Sequence, residues 1–409
     1  MITFKEYISE EKNLHMEHGE DLVLNGGVKG TRAAINSLRA VRDMLAGHSE
    51  KRVDVTVKWD GAPAIFAGQD PRDGKFFIAK KGVFNKNPKV YKTPAEIDAD
   101  TSGDLAEKLK ACLQYLPELG IKGIVQGDLL YTREDIKEAT IDDVKYITFH
   151  PNTLVYAVPK DSEMAKKILS TKIGLAWHTI YEGDSFETMK AVFGKDIVGS
   201  FSNSRNVWST DVNFQDVSGK ATLTKSETEK VTKLLSDAGK LFYKLDAKIL
   251  NGISDNEDLL MRIKTYNNSK VRAQQRITNV SQHVSGLIDY ITSVYTKEEE
   301  SKKTEKGKEA VKQKASSVLS FFTPKSKKAL ENIFTIMNLL VDAKQILVNK
   351  MNEVKRMDVF LLTKNGYKVT GVEGYVAIDK LSGNAVKLVD RMTFSYANFS
   401  PDVIKGWER

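Results

Sequence analysis

A helical stretch lies between two strand-rich segments, and this change of pattern limits the folds open to the chain. From residue 226 to residue 356, apolar residues recur at the three- and four-residue spacing of a buried helix face. On either side, short apolar runs alternate with polar residues in the period-two pattern of strands. The sequence therefore predicts an α+β fold in which antiparallel sheets form a core and an all-helical bundle interrupts it.

The predicted helix starts rest on local signals. Ser226 with Glu229, and Ser254 with Glu257, have the spacing of a capping box. A glycine-rich turn at residues 25–30 precedes an apolar helical stripe, and a phosphate cradle is one interpretation of such a turn. The spacing is not that of a phosphate-binding loop, which favours a plain loop with Thr31 as the helix cap.

The net charge of +8 is concentrated in the helical segment. Residues 226–356 carry 24 Lys and Arg against 16 Asp and Glu, so the rest of the chain is balanced. A basic excess of this kind suits a nucleic-acid phosphate backbone. The alternative is that surface lysines keep a helical bundle soluble.

The composition excludes several classes of protein. The sequence has no apolar run of membrane-spanning length and no secretory signal. Its single cysteine, Cys112, rules out a disulfide framework within the chain and fits a reducing compartment. No histidine or cysteine has zinc-ligand spacing, so a metal would be held by carboxylates and phosphates, which suggests magnesium.

The stretch of residues 53–61 carries the strongest candidate for chemistry. Valines 53, 55 and 57 alternate with polar residues, which predicts a strand that ends at Lys58. A lysine held in a cleft with little solvent has a lowered pKa, and its neutral amine is a nucleophile. The alternative is a solvated lysine at a strand end, followed by an Asp60-Gly61 turn.

Lys58, Asp60 and Gly61 form a Lys-x-Asp-Gly sequence that resembles the signature of covalent nucleotidyltransferases. This superfamily contains ATP-dependent DNA and RNA ligases and mRNA capping enzymes. The resemblance implies antiparallel sheets around a nucleotide cleft, and a covalent lysyl–AMP formed by Lys58 from ATP. It also implies that Asp60 and Gly61 lie at the nucleotide, with Asp60 orienting the turn.

Further motifs follow in the order that the superfamily has. Gly127-Asp128 at the end of an apolar run resembles the third motif, whose acid contacts the ribose, although that acid is usually a glutamate. The superfamily also stacks the purine on an aromatic residue from a later strand. Phe149 and Tyr156 are both candidates, and Tyr156 is the preferred one. Residues 173–181 predict one more strand.

The resemblance also implies a basic residue at the end of the strand that follows the first motif. Lys80 or Lys81 has that position and would reach the nucleotide. The superfamily often has an arginine shortly after the Asp-Gly turn, where this chain has Pro63.

Two motifs in the last strand-rich segment complete the resemblance. Glu373, in a Glu-Gly-Tyr-Val sequence, resembles the fourth motif, whose glutamate serves the magnesium ion. Lys387 matches the first lysine of the fifth motif, which contacts the α-phosphate. Val389 replaces the second lysine, and Arg391 is a candidate to supply the missing charge.

The N-terminus has a separate resemblance. Residues 1–10 have apolar residues at helical spacing and end in Ile8-Ser9-Glu10. One interpretation is a short amphipathic start helix. The other is that the segment resembles the capsid-targeting leader of internal head proteins of T-even-type tailed phages. That implies cleavage after Glu10 by the phage prohead protease, packaging in the virion head and delivery to the host cytoplasm.

Together these features predict a leader (residues 1–10), a nucleotidyltransferase core in two parts (11–225 and 357–409) and a helical insertion (226–356). The predicted function is transfer of AMP to a nucleic-acid end. In DNA ligases and capping enzymes, an OB-fold domain follows the fifth motif. An RNA end is preferred as the acceptor because RNA ligases commonly lack this domain, and a DNA end is possible. The alternatives are AMP transfer to a host protein or small molecule, and a structural or binding protein of the virion with an inactive core.

Overall fold

The computed structural model describes residues 18–48, 53–214, 219–354, 356–379 and 385–408. The leader and Glu10 lie outside these residues. Helices α1 to α12 run over Leu22–Asn25, Gly27–Leu45, Pro94–Asp100, Gly103–Tyr115, Glu163–Ser170, Lys225–Tyr243, Ala247–Ser254, Glu257–Arg272, Val280–Glu300, Glu305–Leu319, Pro324–Met351 and Arg391–Phe399. Strands β1 to β14 run over Val53–Lys58, Ala64–Gln69, Phe76–Ala79, Ile124–Thr132, Lys137–Ile141, Val144–Phe149, Leu154–Pro159, Ile173–Glu182, Lys190–Val192, Val207–Asp211, Asp358–Thr363, Gly366–Val369, Gly374–Asp379 and Ala385–Leu388.

The strands form three sheets. One has the order β10-β8-β4-β2-β3, with β9 also pairing with β8, and a second has the order β12-β11-β7-β6-β5. The third is the small sheet β1-β13-β14. All strand pairs are antiparallel except β8 with β10. The prediction of a mixed α+β fold with antiparallel sheets is confirmed.

The small sheet joins the two ends of the chain. β1 pairs with β13 from Val53 opposite Asp379 to Lys58 opposite Gly374. Alternate residues of its strands, such as Val55 and Tyr375, are buried against the helices. Apolar and polar residues alternate along β1 because one face of the sheet is packed against the helices and the other carries Thr56 and Lys58.

The helices of residues 225–351 do not have a core of their own. Buried residues of α6 to α11 form one hydrophobic cluster with α2 and with the packed face of the small sheet. A buried ion pair also joins them to the rest of the chain, since Lys344 Nζ on α11 lies 2.7 Å from both carboxylate oxygens of Glu20. The insertion in sequence is therefore continuous with the core in space.

The predicted helix starts were close but wrong in detail. The helix predicted from Ser226 begins at Lys225, and its capping box is formed by Thr224 with Glu227. The helix predicted from Ser254 is instead capped by Asn256. Apolar periodicity locates a helix, but several nearby polar residues offer equally good caps, and the packed position of the helix selects among them.

The glycine-rich residues 25–30 are not the predicted loop capped by Thr31. α2 begins at Gly27, and the Thr31 hydroxyl donates to the Gly27 carbonyl 2.7 Å away, inside the helix. Gly30 is required because a Cβ there would lie 2.0 Å from the carbonyl oxygen of Leu22 in α1. These glycines permit close packing of two helices.

Candidate active site at the end of β1

Lys58 and Glu373 contact each other although 315 residues separate them in the sequence. The pairing of Lys58 with Gly374 in the small sheet brings the lysine beside the residue that precedes β13. The Lys58 ammonium donates a hydrogen bond to Glu373 Oε2. The Lys58 side chain is 32% exposed and that of Glu373 is 9% exposed, so a ligand reaches the lysine more readily than the carboxylate.

The Glu373 carboxylate is in a destabilising environment. Its pKa is raised to about 7, chiefly by burial and also by the negative charges of Asp60 and Asp128, although the Lys58 ammonium opposes the shift. Burial of a carboxylate beside two others is a cost to folding unless a cation offsets it. Perturbed carboxylates of this kind are typical of functional sites.

Asp60 is a buried anchor for the turn that follows Lys58. Its carboxylate accepts hydrogen bonds from the Asn152 side chain (2.6 Å), the Thr153 amide and hydroxyl, and the Leu154 amide (2.7 Å). The residue is 5% exposed. These donors fix the Asp60 carboxylate in the protein interior, so Asp60 orients the turn.

Tyr156 and Phe149 lie beneath this turn. The Tyr156 hydroxyl accepts a hydrogen bond from the Asp60 amide (2.6 Å), and its ring packs 5.0 Å from Trp59 and 5.4 Å from Phe149. Both predicted stacking residues are 1% exposed. Neither ring therefore presents a face on which a purine could stack, and Tyr156 instead supports the backbone of the motif.

Gly61 allows the turn to lie directly on β4. A Cβ at Gly61 would lie 2.6 Å from the Cβ of Asp128, a separation that no side chain tolerates. The backbone continues this contact, since the Ala62 amide donates to the Leu129 carbonyl (2.9 Å) and the Leu129 amide donates to the Pro63 carbonyl (3.0 Å). Pro63, where the superfamily often has an arginine, joins the turn to β4 through its backbone.

Asp128 lies close to His178, a residue that none of the sequence motifs includes. The Nε2 atom of His178, on β8, is 3.7 Å from Asp128 Oδ2, and both side chains are partly exposed. His178 lies in a predicted strand, two residues from Ala176, which pairs with Asp128. No signal in the sequence shows that β4 and β8 pair in this register.

Lys387 shares a sheet face with Lys58. In the register of the small sheet, Thr56 is opposite Val376, and Val376 is opposite Lys387. Directly paired residues point to the same face, so Thr56, Lys387 and, two residues along β1, Lys58 are on one side. Val389, where a second lysine is expected, packs against Gly374, at which a Cβ would lie 2.5 Å from the valine.

Two of the other predicted cations are paired with acidic residues. Lys80 pairs with Asp100 at 3.1 Å and lies over the Tyr91 ring. Lys81 is exposed at the start of a short 3₁₀ turn. Arg391 binds Asp21 at 2.8 Å and Asn268 at 2.5 Å, so its guanidinium joins the helices to the N-terminal segment. Of the predicted cations, Lys387 is the one that the sheet register places on the same face as Lys58.

Oxygen donors suited to magnesium are present at the site. Among the described residues, no three His, Cys, Asp or Glu side chains lie close enough to form a complete metal site. Glu373 offers a carboxylate, the hard oxygen donor that magnesium takes, and burial raises its pKa. A magnesium ion at this carboxylate would take its remaining ligands from the phosphates of a nucleotide and from water.

Comparison with known proteins identifies the family. Residues 13–402 match the model of a family described as a family of unknown function, DUF6267. The chain belongs to the DUF6267 family. Searches of curated proteins and of solved structures gave no match for this DUF6267 member. None of its described helices has the length and apolar character needed to cross a membrane.

Proposed function

We propose that this protein is an ATP-dependent nucleotidyltransferase that forms a covalent lysyl–AMP at Lys58 and passes AMP to a nucleic-acid end. The observation that carries the proposal is the contact of Lys58 with Glu373. The resemblance assigned a nucleophile and a metal ligand to these two residues, and they meet across 315 residues of sequence. Asp128 lies against the same turn at Gly61, and Lys387 is on the same sheet face.

The reaction begins at the Lys58 amine. Its nitrogen forms a bond to the α-phosphorus of ATP, and the bond from that phosphorus to the bridging oxygen breaks to release pyrophosphate. The ammonium must first lose a proton, and Glu373 Oε2 is the acceptor in contact with it. With a pKa of about 7, Glu373 can accept this proton and pass it to solvent near neutral pH, so that its carboxylate is ionised again and can bind a cation.

Residues of the small sheet and its surroundings would offset the negative charges of the phosphates. Lys387 would bind the α-phosphate and offset the charge that develops on it. Glu373 and phosphate oxygens would hold a magnesium ion, which would neutralise negative charge on the leaving pyrophosphate. Asp128 would accept a hydrogen bond from a ribose hydroxyl.

For the acceptor, the proposal is an RNA end, with a DNA end as the second choice. The basic excess of residues 226–356 is the property that supports a nucleic acid. The same proposal places the protein in a phage head and then in the host cytoplasm, with removal of the leader after Glu10 by the prohead protease. The support for this last part is the N-terminal sequence alone.

The test is a mass measurement on the purified protein with magnesium and either ATP or GTP. We expect the intact mass to rise by one nucleoside monophosphate, and peptide mapping to locate the addition on Lys58. RNA with a 5′-phosphate should then discharge the adduct, and a DNA end should compete more weakly. A folded protein that gives no adduct with any nucleotide would overturn the proposal and favour a structural role in the virion. Discharge by a protein or small molecule alone would favour the other alternative.

The raised pKa of Glu373 predicts a pH-dependent cost to stability. The folded chain binds this proton more tightly than the unfolded chain, so the free energy of unfolding falls as the pH rises from about 4.5 to about 7. The loss is on the order of 3 kcal/mol. Glu373→Gln removes this contribution, and we expect the variant to gain about that amount relative to the wild type between pH 5 and pH 8.

Urea unfolding followed by circular dichroism at the two pH values measures this gain. Glu138→Gln is the control, because Glu138 is exposed and also pairs with a lysine, Lys160, at 2.7 Å. It should change stability by less than about 1 kcal/mol at either pH. If the free energies of Glu373→Gln and the wild type change in parallel with pH, the environment described for Glu373 is wrong.

A further inference from the structure

We infer that His178 and Asp128 form a pair that recognises a sugar hydroxyl, so that the site selects ribonucleotides over the matching deoxyribonucleotides. The inference rests on the proposed function, since it concerns the nucleotide of that site. It adds a specificity-determining residue, His178, that the resemblance did not assign. The shape of β8, the distance within the pair and the exposure of its side chains support this inference.

His178 lies at a β-bulge of β8, two residues from Ala176, which pairs with Asp128. In the pairing of β4 with β8, Gln126 is opposite Thr179, whereas Gly127 is opposite Trp177. β8 therefore has one extra residue at this point, and that residue is His178. Bulges change the direction of a side chain and often occur next to functional sites. Trp177 remains buried in the core, while His178 reaches the side on which Asp128 lies.

The imidazole is oriented by Thr179. Its Nδ1 atom lies 2.7 Å from the Thr179 hydroxyl, which is buried. When that hydroxyl donates to Nδ1, the neutral ring carries its proton on Nε2, the atom that faces Asp128. The pair then presents one N–H donor and one carboxylate acceptor to the same point.

The separation of the pair leaves room for one hydroxyl group. At 3.7 Å, Nε2 and Oδ2 are too far apart for a good direct hydrogen bond. A ligand oxygen placed about 2.7 Å from Oδ2 and about 2.9 Å from Nε2 satisfies both groups, because a hydroxyl donates to the carboxylate and accepts from the imidazole. The side chains are 28% and 23% exposed, so a ligand can reach them.

The ligand class follows from these atoms. A hydroxyl is both donor and acceptor, and a deoxy position is neither, so a sugar without it leaves two polar groups unpaired. Because both side chains are partly exposed, water can replace some of the hydrogen bonds that the missing hydroxyl would form. We therefore expect discrimination of about 10- to 100-fold, which corresponds to one hydrogen-bonded charged group.

The experiment compares binding of ATP, 2′-deoxy-ATP and 3′-deoxy-ATP by isothermal titration calorimetry, with adduct formation as a separate readout. The wild type should bind one of the two deoxynucleotides about 10- to 100-fold more weakly than ATP. His178→Ala should reduce that ratio to near one, chiefly by weakening ATP. His178→Gln, whose amide nitrogen can donate from a similar place, should recover part of the ratio.

His48→Ala is the matched control, because His48 is exposed and lies beyond the end of α2. It should leave both the ratio and the affinity for ATP unchanged. The inference is overturned if the wild type does not distinguish the three nucleotides, if it binds none of them, or if His178→Ala keeps the wild-type ratio. Selective binding that depends on His178 without an adduct would overturn the proposed covalent reaction and leave this inference standing.

Discussion

Lys58→Arg is expected to form no covalent nucleotide adduct under conditions in which the wild type is labelled. Arginine keeps the positive charge and can still pair with the Glu373 carboxylate, so the folded site should persist. Its guanidinium is not deprotonated in proteins and cannot attack phosphorus as an amine does. The expected effect is a loss of adduct to below the detection limit, at least about 1,000-fold, by intact mass.

Lys160→Arg is the matched control for this variant. Lys160 also follows a strand and pairs with a glutamate, but it lies beyond β7 and outside the site. It should be labelled like the wild type. Urea unfolding should place Lys58→Arg within about 1 kcal/mol of the wild type, which excludes misfolding as the cause. An adduct on Lys58→Arg would mean that another residue is the nucleophile.

Lys344→Met is expected to cause the largest loss of stability among the variants considered. Lys344 and Glu20 are 2% and 3% exposed and form a two-oxygen ion pair between α11 and the N-terminal segment. Burial alone would raise the pKa of Glu20, but Lys344 lowers it below its ordinary value. Methionine leaves the Glu20 carboxylate buried without its cation, which costs about 3–5 kcal/mol.

Urea unfolding at pH 8 measures this loss, and the loss should be smaller at pH 5, where a buried Glu20 without its partner takes up a proton more readily. The double variant Lys344→Met with Glu20→Gln should recover most of the stability, because no buried charge remains. Lys325→Met on the same helix is the control. Its pair with Asp246 is exposed and should contribute less than about 1 kcal/mol. Equal effects of the two single variants would contradict the prediction.

Part of the candidate site could be predicted because it depends on local patterns. The alternation of residues 53–57 reflects a strand with one packed face, and the order of the short motifs selected Lys58, Asp128, Glu373 and Lys387. The sequence could not decide whether Tyr156 has the predicted stacking role. An aromatic residue in a strand has the same sequence pattern whether it lines a cleft or lies beneath it, and here burial decides.

Other features depended on packing between distant segments. The glycines of residues 26–30 look like a loop until α1 is seen to lie against them. The helices of residues 225–351 look like a separate domain in the sequence, but they share buried residues with α2 and the small sheet. The excess of basic residues in these helices supports a nucleic-acid partner, but it does not make the helices a separate domain.

The sequence by itself determined where helical and strand-rich segments lie and which chemical groups are available to the site, because side-chain periodicity and residue type are local properties. The tertiary structure alone decided which of those groups meet. Pairing of β1 with β13 joins Lys58 to Glu373, and pairing of β4 with β8 brings His178 within 3.7 Å of Asp128. Such contacts arise from strand register and core packing summed over hundreds of residues, and a short stretch of sequence does not encode them.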